Sequence, residues 1–499
     1  FPGEEGYNTW SPDSYKYNGA ANNWSGLTLD EKRGMVFTGT GSGSVDYYGA
    51  ERKGTNLYAD CILALDAETG KLKWHFQFIH HDLWDRDLPA PPNLFTLKHD
   101  GKMIDVLATA GKDGVVYVLD RDSGKPIFPV IEKLVPTNNP LKGDEPWPTQ
   151  PYPVKPAPFS VQYLTEDLLT DLTPQDHAFA LKRFLTTRRG NKFEPPSREG
   201  TIVFGIGGGA EWGGTSVDPE GVMYVNANNM PWDLRMLPAD SLNKAMASSG
   251  KRAFMTNCSG CHGADRKGGG EFPSLVDIDK KLDVGKVYSI LQSGSGRMPS
   301  FNRLQPQEKY SIVKYLFGDK MPADMGMRSP HNAGVSKHQT PQLAKPGKKS
   351  KYPYSPPFVS NGFVQFRGPD GYPAIKPPWG TLNAIDLKSG DYKWKVPLGE
   401  YEELTKKGIK PTGTENHGGM VVTAGGLIFI AATEDNNLRA FDKDSGEVLW
   451  KYKLPAGGIA TPITYAIDGK QYVVIAAGGA KYGKKAGGSF LAFALPDGK

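Results

Sequence analysis

The sequence predicts an all-β protein, a propeller of four-stranded blades interrupted by a small all-α unit, and three observations predict it. The pattern Ala-x-Asp-x-x-(Thr/Ser)-Gly-x-x-x-Trp recurs at Ala64–Trp74, Ala384–Trp394 and Ala440–Trp450, and a weaker copy runs from Val118 to Phe128 with phenylalanine in the tryptophan place. Sixty glycines and 40 prolines in 499 residues, with 11% aromatic residues, make turns dense and leave strand-length pieces between them. Near the middle stands Cys258-Ser-Gly-Cys-His262, and downstream of it the patterning becomes helical.

Each repeat reads as a strand, a tight Asp-to-Gly turn and a second strand whose aromatic residue can dock between neighbouring sheets. Asp66 and Asp120 are 54 residues apart and Asp386 and Asp442 are 56 apart, the length of a four-stranded sheet with its turns. Self-similarity at that period marks a β-propeller, because no blade can bury both of its faces alone. Unrelated hairpins would share the turn but seldom the tryptophan four residues on. About five blades are recognisable on this pattern: near Trp74, near Phe128, one split around the Cys-x-x-Cys-His segment, one near Trp450 and a last one from Ile459 to Leu495.

The long interval from Asp120 to Asp386 holds two insertions. Residues 131–200 open with the Pro-rich run Glu145–Pro153 and contain one helical stretch, with Thr173 as N-cap and Pro174 in the first turn. Residues 240–322 carry the Cys-x-x-Cys-His segment and end in a helix over Gln305–Leu316. The expected organisation is therefore propeller over 1–239, inserted domain over 240–322, a Lys/Pro-rich linker over 323–356 and propeller again over 357–499.

Cys-x-x-Cys-His means haem c, attached through thioethers at Cys258 and Cys261 with His262 as an axial iron ligand. The second axial ligand is expected on a loop downstream, and Gly294-Ser-Gly-Arg-Met-Pro-Ser-Phe301 places Met298 there. Zinc would require further Cys or His ligands nearby. The third cysteine, Cys61, lies far upstream in the apolar strand Cys61–Leu65, where a buried thiol is the ordinary expectation. His/Met ligation raises the haem potential and suits it to accept electrons. With two of three cysteines on haem no intrachain disulfide forms, and thioether attachment predicts a periplasmic location. Phe1-Pro-Gly-Glu-Glu has no signal-peptide character and looks like the middle of a longer polypeptide. No apolar run approaches membrane-helix length, and a scattered net charge of +5 gives no indication of nucleic acid.

Outside the cytochrome segment, a series of words resembles the quinoproteins that bind pyrroloquinoline quinone (PQQ) on an eight-bladed propeller, chiefly the glucose dehydrogenase type. They are Asn22-Asn-Trp24, His80-His-Asp-Leu-Trp-Asp-Arg-Asp-Leu-Pro89, Trp212-Gly-Gly, Pro377-Pro-Trp-Gly380, Thr423–Phe429 and Leu454–Gly458. The resemblance implies that N-terminal blades are missing from this chain. It implies Asp85 as the general base for the substrate hydroxyl, a carboxylate kept ionised by a nearby divalent cation. Lys112 would hydrogen-bond the quinone oxygens and Trp24 would form the flat floor under the quinone ring. Trp212 and Trp379 would line its rim, and Glu211 would be among the residues that contact PQQ.

The family's cation is calcium, with a lanthanide as the alternative in a related branch. Its ligands would include Asp85, Asp87 and Ser42, the last standing where the family commonly has asparagine. Glu211 and Ala480 are two further departures, standing where asparagine and histidine are usual, so the substrate cannot be borrowed from the family. The function implied is PQQ-dependent oxidation of a sugar or alcohol hydroxyl, with electrons relayed through the haem to an external cytochrome or quinone. Two rivals stay open: an electron carrier or binding scaffold whose quinone site has decayed, and a different haem oxidoreductase on a propeller.

Overall fold

The computed structural model describes residues 1–99, 101–239, 250–254, 257–258, 262, 266–267, 273–295, 298, 300–301, 304, 306–321, 356–361, 364–479 and 487–496. The chain forms two compact units, Phe1–Met236 with Val359–Lys499, and Leu237–Phe358. Among the described residues no helix is long and apolar enough to cross a membrane.

The larger unit is a succession of antiparallel sheets. The first contains β1 (Leu27–Asp30), β2 (Met35–Gly39), β3 (Cys61–Asp66) and β4 (Leu72–Gln77), and the second β5 (Asn93–His99), β6 (Lys102–Ala110) and β7 (Val116–Asp120). An excursion follows: the ribbon β8 (Val130–Leu134) and β9 (Thr149–Pro153), then α1 (Pro174–Thr186), whose first turn is capped by Thr173 Oγ1 accepting from Asp176 N at 3.1 Å. β10 (Thr201–Phe204), β11 (Ser216–Val217), β12 (Val222–Asn228), β13 (Pro231–Leu234) and β14 (Met236–Pro238) lead out of this unit, and β15 (Phe358–Ser360) leads back.

The third sheet is assembled from both sides of the insertion, in the order β11, β12, β16 (Gly380–Asp386) and β17 (Asp391–Pro397). Val222 to Asn228 pair residue for residue with Asp386 to Gly380, so the inserted unit enters between the second and third strands of one blade. The fourth sheet is β18 (Met420–Val422), β19 (Leu427–Ile430), β20 (Asn437–Asp442) and β21 (Val448–Lys453), and the fifth β22 (Ile463–Ile467), β23 (Lys470–Ala477) and β24 (Ser489–Phe493). The core lies between sheets: Met223, Val225 and Ile385 pack with Val106, Val116 and Phe128, while Tyr224, Leu382 and Ala384 pack with Ile428, Ile430 and Phe441. Alternate side chains of one strand thus serve two cores, as a propeller blade requires.

The repeated motif is the joint between blades. Trp74 Nε1 donates to Arg121 O at 3.1 Å, and Trp394 Nε1 donates to Lys443 O at 3.0 Å. Each indole lies over the turn glycine of the next blade: a Cβ on Gly124 would sit 2.4 Å from Trp74, and one on Gly446 would sit 2.8 Å from Trp394. Phe128 does the same at Gly390, at 3.3 Å. The turn therefore needs glycine twice over, for its positive φ (70° at Gly124) and for the ring above it.

The inserted unit has its own core. Phe254, Cys258, Ile278, Leu291, Ile312 and Val313 are buried together between α2 (Val284–Ser293) and α3 (Pro306–Phe317), with Met298 packed against the cluster. Asp283 caps α2 by accepting from Lys286 N at 2.8 Å.

Candidate active site

Loops from successive blades meet at one end of the larger unit. The segment after β4 turns sharply: His81 and Asp85 both take left-handed backbone (φ 48° and 59°), a conformation that costs a non-glycine residue and is held by its surroundings. Those surroundings are buried and charged. Asp82 accepts from Trp84 N (2.7 Å) and Arg86 N (2.5 Å), while the Arg86 guanidinium donates to the carbonyls of Phe204 and Lys192. Arg52 donates to Asn56 Oδ1 at 2.7 Å and to the Asp82 carbonyl.

On this base stand the residues singled out in the sequence. Lys112, nearly buried, donates through Nζ to Asp87 Oδ2 at 2.7 Å and to Asp85 Oδ1 at 3.0 Å. The same ammonium lies 5.4 Å from the centroid of the Trp24 ring, whose residue is 41% exposed and so keeps a flat apolar face open. Ser42 N donates to Asp87 Oδ1 at 2.6 Å, and Ser42 Oγ donates to Asp46 Oδ1 at 3.1 Å. Gly41 permits this crowding: a Cβ there would lie 2.6 Å from Asp87 Oδ1 and 3.3 Å from Trp24 Nε1. Trp24, Ser42, Asp85, Asp87 and Lys112 are thus one constellation, drawn from the entry to the first blade, the loop after β2, the loop after β4 and the end of β6.

The electrostatics divide the carboxylates. Burial pushes Asp85 up to about 9; Asp87 and Asp46 push the same way and Lys112 opposes them. Burial also opposes ionisation of Asp87, but Lys112, the hydrogen bond with Asp85 and Ser42 N outweigh it and hold Asp87 below the ordinary range. The sequence expectation of an ionised Asp85 therefore needs a positive charge beyond Lys112. Beneath them Asp60 is 1% exposed, raised by burial and by Asp82 and Asp87, and neither of its carboxylate oxygens has a hydrogen-bond partner. The donor set is all oxygen, which suits a hard cation. Among the described residues no three Asp, Glu, His or Cys side chains form a ready metal cage.

Glu211 and Trp212 sit on the loop before β11, which is bonded to the Lys112 loop through Gly209 N to Lys112 O at 2.7 Å. Glu211 is buried; burial lowers the Lys112 pKa, but the charges of Asp85, Asp87 and then Glu211 raise it above its ordinary value. Trp212 is 40% exposed and stacks on His417. Trp379 is fully buried: its Nε1 donates to Ile375 O at 2.8 Å, and it packs in a core with Tyr372 and Tyr401. Two residues escaped the sequence reading. Asp46 had a faint signal, four residues after Ser42, and His417 had none.

In the inserted unit His262 is buried, its N bonded to Cys258 O in a helical turn. Its Nδ1 lies 2.9 Å from Pro273 O; a carbonyl only accepts, so Nδ1 carries the proton and Nε2 keeps its lone pair. Met298 and Ser295 exchange backbone hydrogen bonds at 2.9 and 3.0 Å. Cys261 and Ala480 lie outside the described residues.

The β-propeller domain model of the PQQ-using glucose, ethanol and alcohol dehydrogenases matches residues 1–267 and 305–473, and the model of subunit III of cbb3-type cytochrome c oxidase matches residues 245–316. Quinoprotein glucose dehydrogenase A of Acinetobacter calcoaceticus is 32% identical over 96% of this chain and 49% of its own length. A probable quinate dehydrogenase (quinone) of Xanthomonas campestris pv. juglandis is 32% identical over 95% of this chain and 50% of its own. The chain spans about half the length of the curated relatives it matches. Among solved structures, the quinohemoprotein alcohol dehydrogenase of Comamonas testosteroni is 22% identical, covering 95% of this chain and 47% of that one with a TM-score of 0.49.

Proposed function

Because the chain belongs to the family of PQQ-dependent glucose, ethanol and alcohol dehydrogenases and carries a cytochrome c domain, we propose that it oxidises a hydroxyl group of a sugar or alcohol, with Asp85 as the base. The observation that carries this reading is the Lys112 ammonium bridging Asp85 and Asp87 beside the open face of Trp24. PQQ, when bound, supplies the hydride acceptor, and a cation beside it polarises the acceptor carbonyl.

The chain's own residues supply the rest. Trp24 offers the flat wall and Trp212 a second exposed indole. Asp85 takes the hydroxyl proton on a carboxylate oxygen as the hydride leaves the same carbon, which makes the neutral carbonyl product without an exposed alkoxide. Lys112 holds positive charge where negative charge develops on the acceptor oxygens. Ser42, Asp85 and Asp87 would hold the cation, calcium or a lanthanide, with Asp46 at hand.

Cys258 and Cys261 would bind haem c, with His262 and Met298 on its iron, giving a one-electron acceptor tethered to a two-electron site. An external cytochrome or quinone would empty it in the periplasm. The test is a dye-linked assay of the full-length protein with PQQ and Ca²⁺ over a panel of aldoses and alcohols, read together with the haem bands. Turnover and substrate-driven haem reduction are expected; a haem that reduces with dithionite but with no substrate of the panel overturns the reading.

A further inference from the structure

We propose that His417 is a positioning residue that backs the Trp212 indole and so fixes it as a second flat wall of the PQQ site. The inference rests on the PQQ reading above and names a residue that the sequence did not reveal.

The two rings are stacked, with centroids 4.9 Å apart and planes inclined by 30°. Their exposures are opposite: Trp212 is 40% exposed and His417 is 2% exposed, so the indole presents one face outward and rests the other on the imidazole. An exposed tryptophan on a loop ordinarily samples several rotamers, and a planar guest that needs one of them pays the ordering entropy on binding. A rigid aromatic backing removes that cost beforehand.

The loop architecture is built to hold the pair. Gly213 and Gly418 meet main chain to main chain, and a Cβ on Gly213 would lie 1.8 Å from the Gly418 carbonyl carbon. Any side chain at this seam would force the rings apart. The loop bearing His417 is pinned by buried asparagines of β12. Asn416 N donates to Asn228 Oδ1 at 2.7 Å, Asn228 Nδ2 returns a bond to Asn416 O at 2.8 Å, and Asn226 Nδ2 donates to Asn416 Oδ1 at 2.7 Å. His417 N itself donates to Ala432 O at 2.8 Å. The loop bearing Trp212 is tied to the Lys112 loop through Gly209 N to Lys112 O and through Ala210 N to Gly111 O at 3.3 Å. His417 Nε2 lies 3.7 Å from Glu211 Oε1, and Glu211 in turn bears on Lys112, so the ring that supports Trp212 also borders the charged side of the site.

The experiment is a titration of the cofactor-depleted full-length protein with PQQ in the presence of Ca²⁺, followed by quenching of tryptophan fluorescence and by equilibrium dialysis. His417→Leu is expected to weaken PQQ binding by about tenfold, the scale of one aromatic pair. His417→Phe, which keeps a flat backing, is expected to stay within about twofold of wild type on the same basis, and Trp212→Leu to be as weak as His417→Leu, with the double variant no weaker. Wild-type affinity in His417→Leu, or a His417→Phe as weak as the leucine variant, overturns the proposal. Should His417→Leu fail to fold, Trp212→Leu decides, and unchanged affinity overturns it. A wild-type protein that takes up no PQQ overturns the cofactor reading itself, and this inference with it.

Discussion

Asp66, Asp120 and Asp442 at the outer turns each accept from the backbone N–H and the hydroxyl of the residue three places on, at 2.6 to 2.9 Å, and are only partly buried. At the loop end of the same unit, buried Asp60, Asp82 and Asp87 and half-buried Asp85 lie within reach of one another's charge, and burial pushes Asp82 up to about 6 and Asp85 up to about 9. One residue type thus does two jobs. In the turns, hydrogen bonds within four residues settle its conformation and hold Asp66 and Asp442 below the ordinary carboxylate range. At the loop end its state depends on Lys112 and Arg52, brought in from other segments, and on Arg86 beside it in the chain. Regular turns build the scaffold, and the crowded carboxylates are where the chemistry is proposed.

Substitutions on the two sides should separate sharply. The largest effect is expected from Asp85→Asn, which keeps the shape and removes the base: turnover should fall by about 10²–10⁴-fold while PQQ binding persists. Near-normal turnover would move the base elsewhere and dissolve the contrast. Next, Lys112→Met leaves two buried carboxylates without their cation and should cost about 3–5 kcal/mol, read from urea unfolding; a neutral result would mean that the carboxylates are satisfied without it.

The third test compares two outer turns of the same sequence pattern. Gly124→Ala must place a Cβ 2.4 Å from Trp74, whereas Gly70→Ala, at nearly the same φ, meets nothing within 4 Å. The alanine at 70 should cost only left-handed backbone strain, about 1–2 kcal/mol. The one at 124 should cost about 1–3 kcal/mol more through overpacking. Equal losses in paired denaturant titrations would show that the tryptophan over Gly124 is not the blade joint. The smallest effect is expected from Ser123→Ala, which deletes one exposed turn hydrogen bond to Asp120 and should cost about 0.5–1 kcal/mol.

The Cys258-to-His262 motif is as local as the turns, five consecutive residues, and structure adds what spacing could not, the Pro273 carbonyl that fixes the His262 tautomer. Burial is not legible in a short word: the Pro377-Pro-Trp-Gly380 segment does not reveal that Trp379 packs in a core with Tyr372 and Tyr401, because exposure is a property of what packs above a residue.

What the chain alone determined is whatever repeats or is local: the blade period, the Asp-to-Gly turns with their tryptophans, the cap of α1 and the cysteine pair with its histidine. Each depends on interactions within a dozen residues, so spacing is enough to see it. Only the tertiary structure decided that Lys112 joins Asp85 to Asp87, that Asp60 lies buried with neither carboxylate oxygen hydrogen-bonded, and that His417 stacks on Trp212 from more than 200 residues away. Those facts follow from which loops the closing of successive blades brings to one end, and from the dielectric that their packing leaves there. Neither quantity is carried by any single stretch of sequence.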